Sequence, residues 1–158
     1  MNIADHLTRA KYRSERGAKG YRVLGCILGR QDGRVLEIMN TIEIKFEAKN
    51  PNDPAVSAIT IDKEFARTRI AAYKQMFPDL ECVGWYSVKG TTTADSASDQ
   101  PTAEDLAALR ETSDICDNPL FLIMNAKSQT AQDKKCLPFF MYQRGPVGSE
   151  GQPTVPFV

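Results

Sequence analysis

The heptapeptide Gly84-Trp85-Tyr86-Ser87-Val88-Lys89-Gly90 ends an apolar run that begins at Leu80. Cys82-Val83-Gly84-Trp85 at its centre suits a strand covered on both faces, so a central place in a sheet is expected. On an extended chain Ser87 and Lys89, two residues apart, share a face. Two histidines at that spacing could bind one metal ion. This chain offers a hydroxyl and a cation there, and its only histidine is His6.

Working outward, the segments on either side read as alternating strands and helices. Residues 1–11 place Ile3, Leu7 and Ala10 at helical spacing, and Tyr21 to Leu28 is a strand rich in bulky residues. Gly29 to Gly33 follows as its turn, with reversal expected at Asp32-Gly33. Arg34 to Phe46 reads as one long second strand, in which Val35, Glu37, Met39 and Thr41 alternate against Leu36, Ile38, Asn40 and Ile42 without marking which face is buried. Asn50 to Pro54 interrupts the pattern, and Val56 to Ile61 resumes it. Asp62 can cap a helix carrying Phe65, Ile70, Tyr73, Met76 and Phe77, which Pro78 stops. A second such helix carries Leu106, Leu109, Ser113 and Cys116. Leu120 to Met124, Leu137 to Tyr142 and Val155 to Val158 are further strands. About seven strands and two or three helices make an α/β domain, a mixed and mostly antiparallel sheet flanked by helices.

The 158 residues suit a single domain, and twenty basic side chains cancel twenty acidic ones. No net field is available to hold a nucleic-acid backbone, so no nucleic-acid partner is expected. The basic cluster Arg9, Lys11, Arg13, Arg16 and Lys19 could meet a partner or simply face solvent. No apolar run approaches the ~20 residues of a membrane span, so no membrane association is expected. Cys26, Cys82, Cys116 and Cys136 are widely spaced and most lie in or beside apolar runs. They read as reduced core thiols.

Catalytic groups are scarce. Zinc chemistry needs three protein ligands and an open position, more than one histidine can begin to supply. Ser87 as a nucleophile has no evident base, and packing is the simpler account of a strand serine. The glycines from Gly25 to Gly33 precede a strand, not a helix, and read as turn residues rather than a phosphate loop. Asp105 could belong to a metal site. Capping the helix that Thr102-Ala103-Glu104-Asp105 begins, by accepting from the Thr102 amide, explains it more simply and without a metal.

Several segments together resemble the MPN family, the fold shared with the zinc-dependent JAMM isopeptidases. They are Asn2 to His6 with Thr8-Arg9, Val23 to Ile44, Ile61 to Phe65, Tyr73 to Ser87 and Asn118 to Asn125. Within that family the chain is most similar to inactive members of the COP9 signalosome type. The resemblance implies a JAB1-type single domain over residues 1–158, truncated at both ends: a first strand before the opening helix and helices after the domain are expected of a complete protein.

The resemblance also implies what has been replaced. The isopeptidases' glutamate corresponds to Arg22, their two histidines to Ser87 and Lys89, and only the aspartate of their Ser-x-x-Asp element persists, as Asp105. A pseudoenzyme with no metal and no cofactor is expected, a scaffold pairing with a catalytic MPN subunit and other signalosome subunits that together remove Nedd8 from cullins. Inactive scaffolds of the proteasome lid or a translation initiation factor complex, and an atypical metallohydrolase, are the alternatives. Tyr73, Met76, Phe77, Leu106 and Leu109 are the candidate interface positions, with core packing as their simpler reading. Self-association through helices or an exposed sheet edge and residence in cytoplasm and nucleus complete the expectations.

Overall fold

The computed structural model describes residues 3–14, 21–48, 59–90, 100–116, 119–125 and 139–143. The Val155 to Val158 strand expected from the sequence lies outside them. In chain order the elements are α1 (Ile3–Ser14), β1 (Tyr21–Asp32), β2 (Val35–Glu43), β3 (Phe46–Ala48), β4 (Ile59–Ile61), α2 (Lys63–Met76), β5 (Glu81–Gly90), α3 (Ala103–Glu111), β6 (Leu120–Asn125) and β7 (Phe139–Gln143).

Five strands form one sheet in the order β2-β1-β5-β6-β7, so the signature strand β5 is central as its composition demands. It runs antiparallel to β1 and parallel to β6, and the remaining pairs are antiparallel. α3 lies in the crossover from β5 to β6, the kind of connection a parallel step requires. One face buries Leu24, Cys26, Leu28, Ile42, Trp85, Phe121 and Ile123 with Ala66 of α2 and Ala108 of α3. The other buries Val23, Ile27, Tyr86, Val88, Leu122 and Met124 with Ile3 of α1. The sheet is thus the middle of three layers, and β1 and β5 have no solvent face over most of their length.

The helices start and stop where local chemistry directs. The Asp62 carboxylate accepts from the Phe65 amide at 2.9 Å, a cap of about 1 kcal/mol. α2 ends at Met76 before Pro78, whose ring disfavours helical backbone in the preceding residue. Lys63 and Arg67 then reach Asp114 beyond α3, at 3.3 and 2.7 Å, and tie the two helices together at the surface.

Three expectations need correction. β1 continues through Gly29 to Asp32, and the reversal is the two-residue turn Gly33-Arg34, with Asp32 paired to Val35. Gly33 has φ +59°, open to glycine at no steric cost. Arg34 to Phe46 is not one strand. Glu43 is the last paired residue of β2, one further bond runs from the Ile44 N–H to the Leu24 carbonyl at 3.0 Å, and Phe46 pairs with Ile61 in a separate two-stranded sheet. The alternation continues through Ile42, Ile44 and Phe46, so a change of partner leaves no trace in the pattern.

The ambiguous faces of β2 also find their cause. Leu28 pairs with Asn40 and Gly29 with Ile38, so Met39 is an extra residue, a β-bulge. It switches the side-chain parity: Ile42 lies in the helix-α2/α3 core and Ile38 packs against the α1 core. β5 does the same on the other side of β1. Ile27 pairs with Gly84 and Leu28 with Cys82, leaving Val83 as the extra residue.

Candidate functional site

β5 positions two of the singled-out residues. Ser87 pairs with Leu24 and Lys89 with Arg22, so the two basic positions are direct cross-strand partners at one end of the β1–β5 pair. Ser87 shares its face with Trp85, toward α2 and α3. It is fully buried, and its Oγ has no hydrogen-bond partner among the described residues. The Trp85 Nε1 has none either.

Asp105 sits in the first turn of α3 and is also fully buried. Its carboxylate accepts from the Thr102 backbone N–H and from the Thr102 hydroxyl, both at 2.8 Å. The Thr102 oxygen accepts in return from the Asp105 N–H at 3.4 Å, completing a capping box. The capping role expected from Thr102-Ala103-Glu104-Asp105 is therefore present. A carboxylate at a helix N-terminus also faces the positive end of the helix dipole.

Across the sheet, β5 carries a contact that sequence reasoning missed. His6 of α1 and Tyr86 are both buried, and Nδ1 of the imidazole shares a short hydrogen bond with the phenol hydroxyl. Gly25, opposite Tyr86, leaves room for the ring, since a Cβ there would collide with it. Burial, and then the charge of Arg9, push the His6 pKa below its ordinary value against the opposing pull of Glu43 and Asp5. Burial, then Glu43, hold the Tyr86 phenol well above its usual range. Arg9 itself pairs with Asp5 at 3.3 Å, so this member of the basic cluster is engaged within the chain. The available signal was the spacing of Ile3 and His6, which puts them on one helix face.

The five interface candidates divide. Met76, Phe77 and Leu106 are 69%, 49% and 47% exposed. Tyr73 and Leu109 instead pack against the α2/α3 core, as partly buried side chains. Three of the widely spaced cysteines also meet: Sγ of Cys26 and Cys82 approach to 2.7 Å, and Cys116 hydrogen-bonds Cys82. Among the described residues no group of three histidine, cysteine, aspartate or glutamate side chains has the arrangement of a metal cage.

A family model described as JAB1/Mov34/MPN/PAD-1 ubiquitin protease matches residues 1–111. The chain belongs to the JAB1/MPN family. Among curated MPN relatives, COP9 signalosome complex subunit 6 of Drosophila melanogaster is 31% identical over 158 residues, covering all of this chain and 40% of that protein. Subunit 6b of Arabidopsis thaliana is 31% identical over 160 residues, covering 90% of this chain and 44% of its own length. Subunit 6 of Oryza sativa subsp. japonica is 30% identical over 168 residues, covering all of this chain and 45% of that protein. The chain therefore spans less than half the length of these MPN relatives. Its mixed, mostly antiparallel sheet between helices agrees with the MPN fold expected from the resemblance.

Proposed function

We propose that this chain is a non-catalytic MPN scaffold of the COP9 signalosome, pairing with the catalytic MPN subunit to support removal of Nedd8 from cullins in cytoplasm and nucleus. The observation that carries this reading is the residue set at the former metal-site positions. Arg22 and Lys89 are cross-strand partners where an acid and a histidine would be needed. Neither an arginine nor a lysine offers the lone pair that a zinc ligand must supply, since both are donors only. Ser87 is fully buried and offers only a hydroxyl, and the Asp105 carboxylate already serves Thr102. Names of the relatives favour the signalosome over the proteasome lid or an initiation factor complex. Met76, Phe77 and Leu106 supply exposed apolar surface for the pairing.

The test is affinity purification of the tagged protein from cells, followed by identification of its partners. Signalosome subunits are the expected catch; lid or initiation-factor subunits in their place would overturn the assignment. Metal analysis of the purified protein separates the scaffold from an atypical metallohydrolase, which requires stoichiometric zinc. A Ser87→His with Lys89→His double variant should remain inactive on a Nedd8 conjugate, because Arg22 still stands at the acid's position. Activity in that variant would show that Arg22 has been wrongly assigned.

A further inference from the structure

Cys26 lies on β1, Cys82 on β5 and Cys116 in the turn after α3, well apart in the sequence. In a regular antiparallel ladder Cys82 would face away from Cys26. Cys26 pairs with Trp85, and counting by twos from Trp85 reaches Val83 on the same face. The bulge at Val83 reverses this. Val83 packs toward α1, and Cys82 joins Trp85 and Cys26 on the α2/α3 face. A strand irregularity thus brings together two thiols that the sheet would otherwise separate.

We propose that Cys26 and Cys82 are a dithiol site that a hydroperoxide converts into a disulfide stapling β1 to β5. Their sulfurs are 2.7 Å apart, and closing to bonding distance requires a movement of roughly 0.7 Å. Cys26 is buried. Cys82 is partly exposed and lines an open groove of about 600 Å³ together with Cys116, Gln31, Arg34, Lys74 and Gln143. A small peroxide enters there and meets Cys82 first, with Cys26 directly behind it.

The chemistry balances without another reactant. The Cys82 sulfur, as thiolate, attacks one peroxide oxygen; the O–O bond breaks and the departing hydroxide leaves as water with the thiol's proton. Cys82 is now a sulfenic acid, oxidised by two electrons. The Cys26 sulfur attacks it, the S–S bond forms, and the sulfenic hydroxyl departs as a second water with the Cys26 proton. Two thiols and one hydrogen peroxide become one disulfide and two waters. The hydrogen bond with Cys116 pulls the Cys82 pKa down, but the one with Cys26, burial and the nearby Cys26 charge outweigh it and raise the thiol above its ordinary range. The Cys26 sulfur, 2.7 Å away, is placed to capture the product of the first attack.

The experiment treats the full folded chain with hydrogen peroxide and reads intact mass and a non-reducing peptide map. A loss of two hydrogens, reversed by dithiothreitol, with a linked Cys26–Cys82 peptide as the dominant disulfide is the expected result. The same treatment in urea should lose that preference. A variant with both Cys26→Ala and Cys116→Ala, which leaves Cys82 no neighbouring thiol, should accumulate sulfenic acid at Cys82, trapped by dimedone; if that variant does not fold, the wild-type map decides alone. The proposal is overturned by a dominant Cys82–Cys116 link, by sulfinic acid at Cys82 beside an intact Cys26 thiol, or by oxidation confined to Cys136.

Discussion

Tyr86 and Ser87 are neighbours in β5 and equally inaccessible, both 0% exposed, yet they lie on faces with opposite polar chemistry. On the α1 side the Tyr86 hydroxyl is joined to His6, and the pair ties a helix to the sheet across eighty residues of sequence. On the α2/α3 side the Ser87 Oγ and the Trp85 Nε1 have no partner among the described residues. A buried polar group costs free energy unless it is paired. One face of this strand is therefore organised around a polar contact, and the other carries polar atoms for which packing alone gives no reason.

The largest break in this contrast should come from Tyr86→Ala, which removes both the contact and a buried ring, at about 3–5 kcal/mol by urea unfolding. Tyr86→Phe isolates the polar part. It leaves the His6 ring nitrogen unpaired and should cost about 1–3 kcal/mol. Adding His6→Phe to that variant should recover part of the loss, and strict additivity would show that the two groups are not coupled. Thr102→Ala on the other side should cost about 1 kcal/mol by removing the α3 cap. Ser87→Ala deletes a hydroxyl with no partner among the described residues, so thermal and urea unfolding should move by less than about 1 kcal/mol, in either direction. A loss as large as that of Tyr86→Phe would mean that Ser87 has a partner and that the two faces are alike.

The smallest effect is a slope with pH. The folded pKa of His6 lies below its ordinary value of 6.5, so the unfolded chain binds the proton more readily. The corresponding stabilisation is complete above the unfolded pKa and is lost as pH falls from there through the folded pKa. Unfolding midpoints of the wild type should therefore fall on acidification below about 6.5 more steeply than those of His6→Gln. Equal slopes would remove His6 as the titrating group.

Much of this architecture could be read from side-chain patterns, and the failures have a common physical origin. The central place of β5, the Asp62 cap, the Thr102–Asp105 box and the Pro78 stop each depend on chemistry within a few residues. The missed features are long-range. Nothing near Lys45 reveals that the chain changes partners there, because both partners ask for the same alternation. Met39 and Val83 become extra residues only relative to Leu28 on β1, so counting by twos loses phase at positions that look regular. The shift at Val83 also concealed the approach of Cys82 to Cys26. The interface candidates split for another reason, since helix period alone did not tell Tyr73 and Leu109 from the exposed Met76, Phe77 and Leu106. His6 was passed over for a related reason, since its partner is brought to it by the β1–β5 pairing and not by the sequence around it.

The crossover from β5 through α3 to β6 has a consequence for the order in which the domain assembles. The β1–β2 hairpin closes over the two residues Gly33 and Arg34, so its first bonds cost little loop entropy. β5 must instead find β1 across the intervening β2, β3, β4 and α2, and it gains β6 only after the chain has travelled over α3. Non-local pairing of this kind is slow. The hairpin should therefore be the early structure, and the central strand should acquire both neighbours last. Its order is a product of the finished domain, and it has no stable structure of its own to contribute at the start.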